Sequence, residues 1–211
     1  MSHRREHQGG GEDQIELADT TSAALLQADA IDRHGTTICH NLLTGGRLAN
    51  RNVLAIDFRR STDQWIREWK EEIGELPNAL RLIVTEEAYR SAAVSEPESM
   101  TSDLEITPIS NPQDLTAIGI QITDCLDNWS DEEVTVTACL DSLSTMLQYT
   151  SFDPVFRFLH VFIRQLDSID ATGHFHIDPT AHDEQTLTRL YQIFDAVITI
   201  EGGTVVSIRE R

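Results

Sequence analysis

Three histidines and two aspartates share one ten-residue stretch near the carboxyl end: His174, His176, Asp178, His182 and Asp183, spaced H-x-H-x-D-P-x-x-H-D. Side chains alternate along a strand, so His174 and His176 point to the same face. Two imidazoles beside a carboxylate are ligand types that Zn²⁺ or a similar ion takes. His174, His176, Asp178 and His182 are therefore the candidate metal ligands. The same residues also read as a polar strand end, with Asp178-Pro179 as a turn and His182 opening a helix.

A second concentration of chemistry is cationic. Arg59 and Arg60 stand together after an apolar run and just before Ser61. Guanidinium accepts no proton, but it holds carboxylates through paired donors. The pair reads either as two surface arginines at a helix start or as an anion or interface site. Positive charge at a helix N-terminus opposes the helix dipole, so a compensating partner is expected.

Charge bounds the function classes. One lysine, Lys70, stands against fifteen arginines and thirty-five acidic residues, for a formal net charge of −19. Such a charge repels itself and destabilises a compact state unless salt screens it. At molar salt the Debye length is about 3 Å. The composition therefore reads as adaptation to a very salty cytoplasm, that of a halophilic archaeon. It disfavours binding to DNA, RNA or anionic lipid, which needs clustered Lys or Arg. Cys39, Cys125 and Cys139 are odd in number, widely spaced and without a C-x-x-C pair. Each is expected to be a reduced, small core residue. No apolar run approaches the length of a membrane span, and the opening MSHRREHQGGGEDQ lacks the apolar stretch of a signal peptide. The cytoplasm is the expected location.

The elements that must position these groups alternate between strand and helix. Residues 1–20 are polar and Gly-rich, and are expected to be a disordered tail before a single domain over 21–211. Strands are expected at Ser22–Ala30, Asn52–Phe58, Leu80–Val84, Leu104–Ile109, Val134–Leu140 and Gly173–Ile177. A closing hairpin pairs Val197–Ile200 with Val205–Ile208 across Gly202-Gly203. Helices are expected at His34–Leu43, from Ser61 onward, from Asn111-Pro112 to Trp129, at 143–149, from Asp153-Pro154 to Ser168, and after the Thr180/Asp183 capping pair. Ser61 has Gln64 three residues on, a capping-box spacing. The helix to Ser168 is apolar almost all round, the pattern of a buried or partner-covered helix; Phe158 and Phe162, with Arg59 and Arg60, are the candidate interface residues. Apolar strands separated by helices make βαβ units, a mostly parallel sheet covered on both faces.

The order of segments, and above all ACLDSLSTMLQY and FRFLHVFIRQLDSIDATGHFHIDPTAHDEQTLTRLYQIFDAVITIE, resembles the RecA/KaiC-like P-loop ATPase core and its uncharacterised haloarchaeal relatives. The resemblance covers residues 22–210 and implies a three-layer α/β fold with a C-terminal antiparallel hairpin. It also places three chemical stations. At the P-loop the chain reads Ala30-Ile31-Asp32-Arg33-His34-Gly35-Thr36-Thr37. With Thr36 at the Mg²⁺-binding hydroxyl, Gly35 stands where the phosphate-binding lysine belongs. The glycine run is missing, and Asp32 brings negative charge toward the phosphates. Where the family carries Phe-Glu-Glu-Ser, this chain has Phe58-Arg59-Arg60-Ser61, so the base is replaced by guanidinium. The third station, Asp141-Ser142, resembles a Walker B end, where aspartate orients Mg²⁺ through water; alternatively Asp141 caps the short helix 143–149. The vestigial nucleotide site is then Gly35, Thr36, Thr37, Asp141 and Ser142, with His174 expected to line any pocket there.

These readings give a non-catalytic RecA/KaiC-like module acting through protein contacts, self-association among them, with no cofactor. One alternative is a nucleotide-binding protein or weak ATPase using ATP and Mg²⁺ at a non-standard phosphate site. The other is a metal-dependent protein built on the histidine cluster, whose pattern stops short of the metallo-β-lactamase motif because Pro179 stands at the next histidine.

Overall fold

Apolar runs decide the layout. The computed structural model describes residues 4–5, 15, 17–18, 20–29, 34–45, 48, 50–86, 103–130 and 133–211. Most of the expected tail and the Ala30–Arg33 part of the first loop lie outside the described residues. The strands are β1 (Arg4–Arg5), β2 (Ala23–Gln27), β3 (Arg51–Asp57), β4 (Ala79–Thr85), β5 (Asp103–Ile109), β6 (Thr135–Asp141), β7 (Thr172–Ile177), β8 (Ala196–Glu201) and β9 (Thr204–Glu210). The helices are α1 (His34–Thr44), α2 (Thr62–Glu72), α3 (Leu115–Trp129), α4 (Leu143–Tyr149), α5 (Phe152–Ser168) and α6 (Glu184–Tyr191), with a 3-10 turn at Pro179–Ala181.

All nine strands form one sheet in the order β1-β9-β8-β2-β7-β6-β3-β4-β5. From β8 to β5 every pairing is parallel; β9 returns antiparallel on β8, and β1 pairs antiparallel with β9. This is a RecA-like α/β fold with its C-terminal hairpin at one edge.

Alternation of side chains splits the core in two. Leu54, Ile56, Ala138, Leu140 and Phe175 face α3, α5 and α6 in one cluster. Val53, Ala55 and Cys139 face α1 and α2, packing with Leu43, Trp65 and Trp69 in another. Ala24, Leu26 and Ile198 meet Ile38 of α1 in a third. The side chains of β7 at 174 and 176 fall on the α1 side, because Phe175 and Ile177 belong to the opposite cluster.

Several helix starts differ from the sequence reading. Helix α2 begins as expected, with the Ser61 side chain accepting from the Gln64 amide at 3.3 Å. Helix α3 begins at Leu115, because Asn111 accepts from the Gln113 amide in a turn and Asp114 takes the cap by accepting from Ala117. Helix α4 is capped by Ser142, which accepts from the Thr145 amide at 3.1 Å, and not by Asp141. Helix α5 starts one residue before Asp153, with Ser151 at the cap position. Asp183 caps α6 alone, while Thr180 sits in the 3-10 turn capped by Asp178.

Helix α5 is amphipathic rather than apolar all round. Val155, Leu159, Phe162 and Leu166 are buried, and Val161 is 60% exposed. The expected interface role of Phe162 is therefore corrected. It is 1% exposed, edge-on to Phe175 with ring centroids 5.4 Å apart, and the helix rotation places it in the core. Phe158 is half-buried beside it. No helix among the described residues is long and apolar enough to cross a membrane.

Candidate functional site

The carboxyl ends of β3, β6 and β7 open on a cavity of about 540 Å³, whose lining includes Arg59, Arg60, Asp141, Ser142, Cys39 and His176. This is the sheet edge where parallel α/β folds place ligands. The backbone bends sharply after β3. Asp57 causes that bend: its Oδ1 accepts from the amides of Arg59 at 2.7 Å and Arg60 at 2.8 Å. Its other oxygen accepts from Arg60 Nε at 2.6 Å.

Arg60 is consequently turned inward. Its Nη2 lies 3.3 Å from Asp141 Oδ2, and its Nη1 lies 3.3 Å from Glu68 Oε2. Arg59 reaches Asp141 Oδ1 at 3.2 Å from a half-exposed position. Asp57 and Asp141 are neighbours in the β3–β6 register, so two carboxylates share one buried cationic layer. Burial pushes the Asp57 carboxyl up to about 6, against the pull of Arg60 and with the push of Asp141. Burial works against the Arg60 charge, but Asp57 and Asp141 outweigh it and raise its pKa. The compensating partner that the arginine pair required is thus internal. Arg60 is 8% exposed, so of the two Arg59 presents more of its side chain to the cavity.

The vestigial nucleotide residues are only partly brought together. Thr36, Asp141 and Ser142 line the cavity. Thr37 turns away to Glu72, donating its hydroxyl at 3.3 Å. Gly35 lies in the first turn of α1. His176, and not His174, lines the cavity, because it is one pleat nearer the strand end.

The histidine cluster divides in two. His182 Nε2 lies 2.8 Å from Ser144 Oγ, which also accepts from the Asp178 amide at 2.9 Å. The Asp178 carboxylate accepts from the Thr180 amide and hydroxyl at 2.8 and 2.7 Å. The metal-ligand expectation for Asp178 and His182 is therefore corrected: both are spent on the turn that follows β7. His174 and His176 point instead into the protein, toward two cysteines.

Cys139 lies opposite His174 in the β6–β7 register, and Cys39 comes from α1 above them. The sulfurs of Cys39 and Cys139 are 3.4 Å apart, and His174 Nε2 is 3.1 Å from Cys39 Sγ. Each of the four residues offers a ligand atom within 4.8 Å of the other three, and all four are buried. The hydrogen bond from Cys139 holds the Cys39 thiol well below its usual range despite burial, and the nearby histidines add to this. Burial pushes the Cys139 thiol up. Burial also lowers His174; at His176 the charges of Asp141 and Cys39 outweigh it and raise the imidazole.

Sequence reasoning missed Asp57, Cys39 and Cys139. Asp57 was legible as the i,i+3 partner of Arg60 at the end of an apolar strand. No spacing in the chain joins Cys39 to Cys139; the sheet order does.

The family of unknown function DUF7504 matches residues 21–200 of this chain. The chain belongs to that family. No curated protein matches the chain. Among solved structures, the Pyrococcus horikoshii protein PH0321, described in complex with an unknown peptide, has a TM-score of 0.53 at 12% identity, covering 91% of this chain and 93% of that one. PH0250 from Pyrococcus horikoshii OT3 has a TM-score of 0.51 at 6% identity, covering 89% and 85%. The flagellar accessory protein FlaH from Methanocaldococcus jannaschii has a TM-score of 0.46 at 14% identity, covering 87% and 74%. At these identities the likeness is one of fold.

Proposed function

We propose that this member of DUF7504 is a RecA-like module that does not hydrolyse ATP and acts through protein contacts, as a regulatory or signalling protein of a halophilic archaeon. One observation carries the reading: the guanidinium of Arg60 bridges Asp57 and Asp141, with Arg59 on the other oxygen of Asp141. In the ATPases this core resembles, the equivalent aspartate orients Mg²⁺, and glutamates stand where the two arginines are. Here internal cations compensate the carboxylate, and guanidinium stands at the position of the water-activating base. The sequence adds Gly35 at the lysine position, and Lys70 is exposed on α2.

The surface that supports protein contacts is a groove of about 500 Å³ between α3 and α5, lined by Leu115, Ile120, Phe158 and Val161 among others. Ile120 is 53% exposed and Val161 60%. Apolar side chains gathered in a groove mark contact sites more often than the same residues scattered singly.

A second reading rests on the cavity itself. Its volume falls in the usual range for small-ligand sites, about 300–1,000 Å³, and Arg59 and Thr36 face it. It would hold a nucleotide without hydrolysing it efficiently. Thermal unfolding in molar KCl with and without ATP and Mg²⁺ separates the two. The module reading expects no shift in midpoint and no phosphate release. A shift of several degrees that disappears in Asp141→Ala would overturn it in favour of the second.

A further inference from the structure

We propose that Cys39, Cys139, His174 and His176 bind one Zn²⁺ ion, which clips α1 to strands β6 and β7. The donor set is two sulfurs and two imidazoles, the combination of structural zinc sites. Soft sulfur with imidazole selects zinc over magnesium or calcium, which take oxygen ligands. The geometry fits. Bonds of about 2.3 Å to sulfur and 2.0–2.1 Å to nitrogen give a tetrahedron with edges of about 3.3–3.8 Å. Two of the separations here are 3.1 and 3.4 Å, and none exceeds 4.8 Å. The two short separations reach that geometry by widening a few tenths of an ångström, and any pair near the upper limit by closing about 1 Å.

Burial supplies the second argument. The Nε2 of His176 is buried without a hydrogen-bond partner. Buried polar atoms are rarely left so, and a metal bond would satisfy this one. Charge balances as well. Binding takes both cysteines as thiolates, their thiol protons leaving to solvent as the metal enters, and two thiolates neutralise the dication among neutral imidazoles. Cys39 and His176 line the cavity, which gives the ion a way in. With four protein ligands the coordination sphere is closed, so the site is structural rather than hydrolytic. Its position suggests the consequence. The clip fastens helix α1 to the centre of the sheet. None of the four ligands takes part in the Arg59/Arg60 ion pairs.

Metal analysis tests it on the full chain, expressed without a histidine tag and kept reduced in molar KCl. The expected content is about one zinc per chain. Exchange into Co²⁺ should produce the visible bands of a tetrahedral thiolate–imidazole site. Cys39→Ser and His174→Asn should lose both signals, and Cys125→Ser, in α3, should keep them. Should the ligand variants fail to fold, the zinc content and cobalt spectrum of the unaltered protein decide alone. Folded, reduced protein with less than about a tenth of an equivalent of any transition metal, and no cobalt bands on adding Co²⁺, overturns the proposal. A Cys39–Cys139 disulfide in freshly isolated protein overturns it equally.

Discussion

The guanidinium of Arg60 touches Asp57, Asp141 and Glu68, and is nearly closed off from solvent. Removing one partner of a buried ion cluster leaves charge without compensation, which costs more than the cluster contributes as a whole. Arg60→Met keeps most of the volume and removes the cation. The expected loss is about 3–5 kcal/mol in urea unfolding; the double variant Asp57→Asn/Arg60→Met should recover much of it. The same carboxyl sets a pH dependence. The folded chain holds a proton on Asp57 more tightly than the unfolded chain, because burial raises it from 3.8 to about 6. Stability from that protonation is complete below the lower value and is lost as pH rises toward the upper one. The fall between those two pH values should be present in the unaltered protein and shallower in Asp57→Asn, whose amide does not titrate. Equal slopes in the two proteins would remove Asp57 as the cause.

Helix α5 and strand β7 meet closely because of one glycine. A Cβ at Gly173 would lie 2.6 Å from Leu166 Cδ1 and 3.3 Å from Phe175 Cε2. Leu166 is fully buried and has little room to yield. Gly173→Ala should therefore destabilise by about 1–3 kcal/mol, the usual cost of overpacking. For a chain of this size that is a fall of roughly 2–4 °C in Tm per kcal/mol, read by calorimetry. An unchanged midpoint would mean that Leu166 finds another rotamer and that this contact is not limiting.

The whole molecule carries a formal charge of −19. Its ion pairs engage only part of that acidity, and self-repulsion must be screened for the sheet to stay compact. The thermal midpoint should climb steadily as KCl is raised from about 0.1 M, where screening reaches only about 10 Å, into the molar range. A midpoint that stays level or falls with KCl would take away the halophilic reading, leaving an acidic protein of ordinary habitat.

Strand and helix order was legible in the residues, because apolar runs of strand length alternate with capped, one-sided helical patterns. The Ser61–Gln64 cap and the hairpin across Gly202-Gly203 followed from local chemistry that needs no partner. Tertiary structure decided the rest. Asp178 and His182 left the metal set because β7 ends at Ile177 and the turn beyond it uses their polar atoms. Phe162 went to the core and Val161 to solvent through the rotation of one helix. Cys39 and Cys139, a hundred residues apart, met His174 because parallel pairing sets β6 beside β7 and α1 packs across both. Local sequence carries period and capping. Which strands become neighbours is settled only when the whole sheet closes its core, and the candidate site is made of such neighbours.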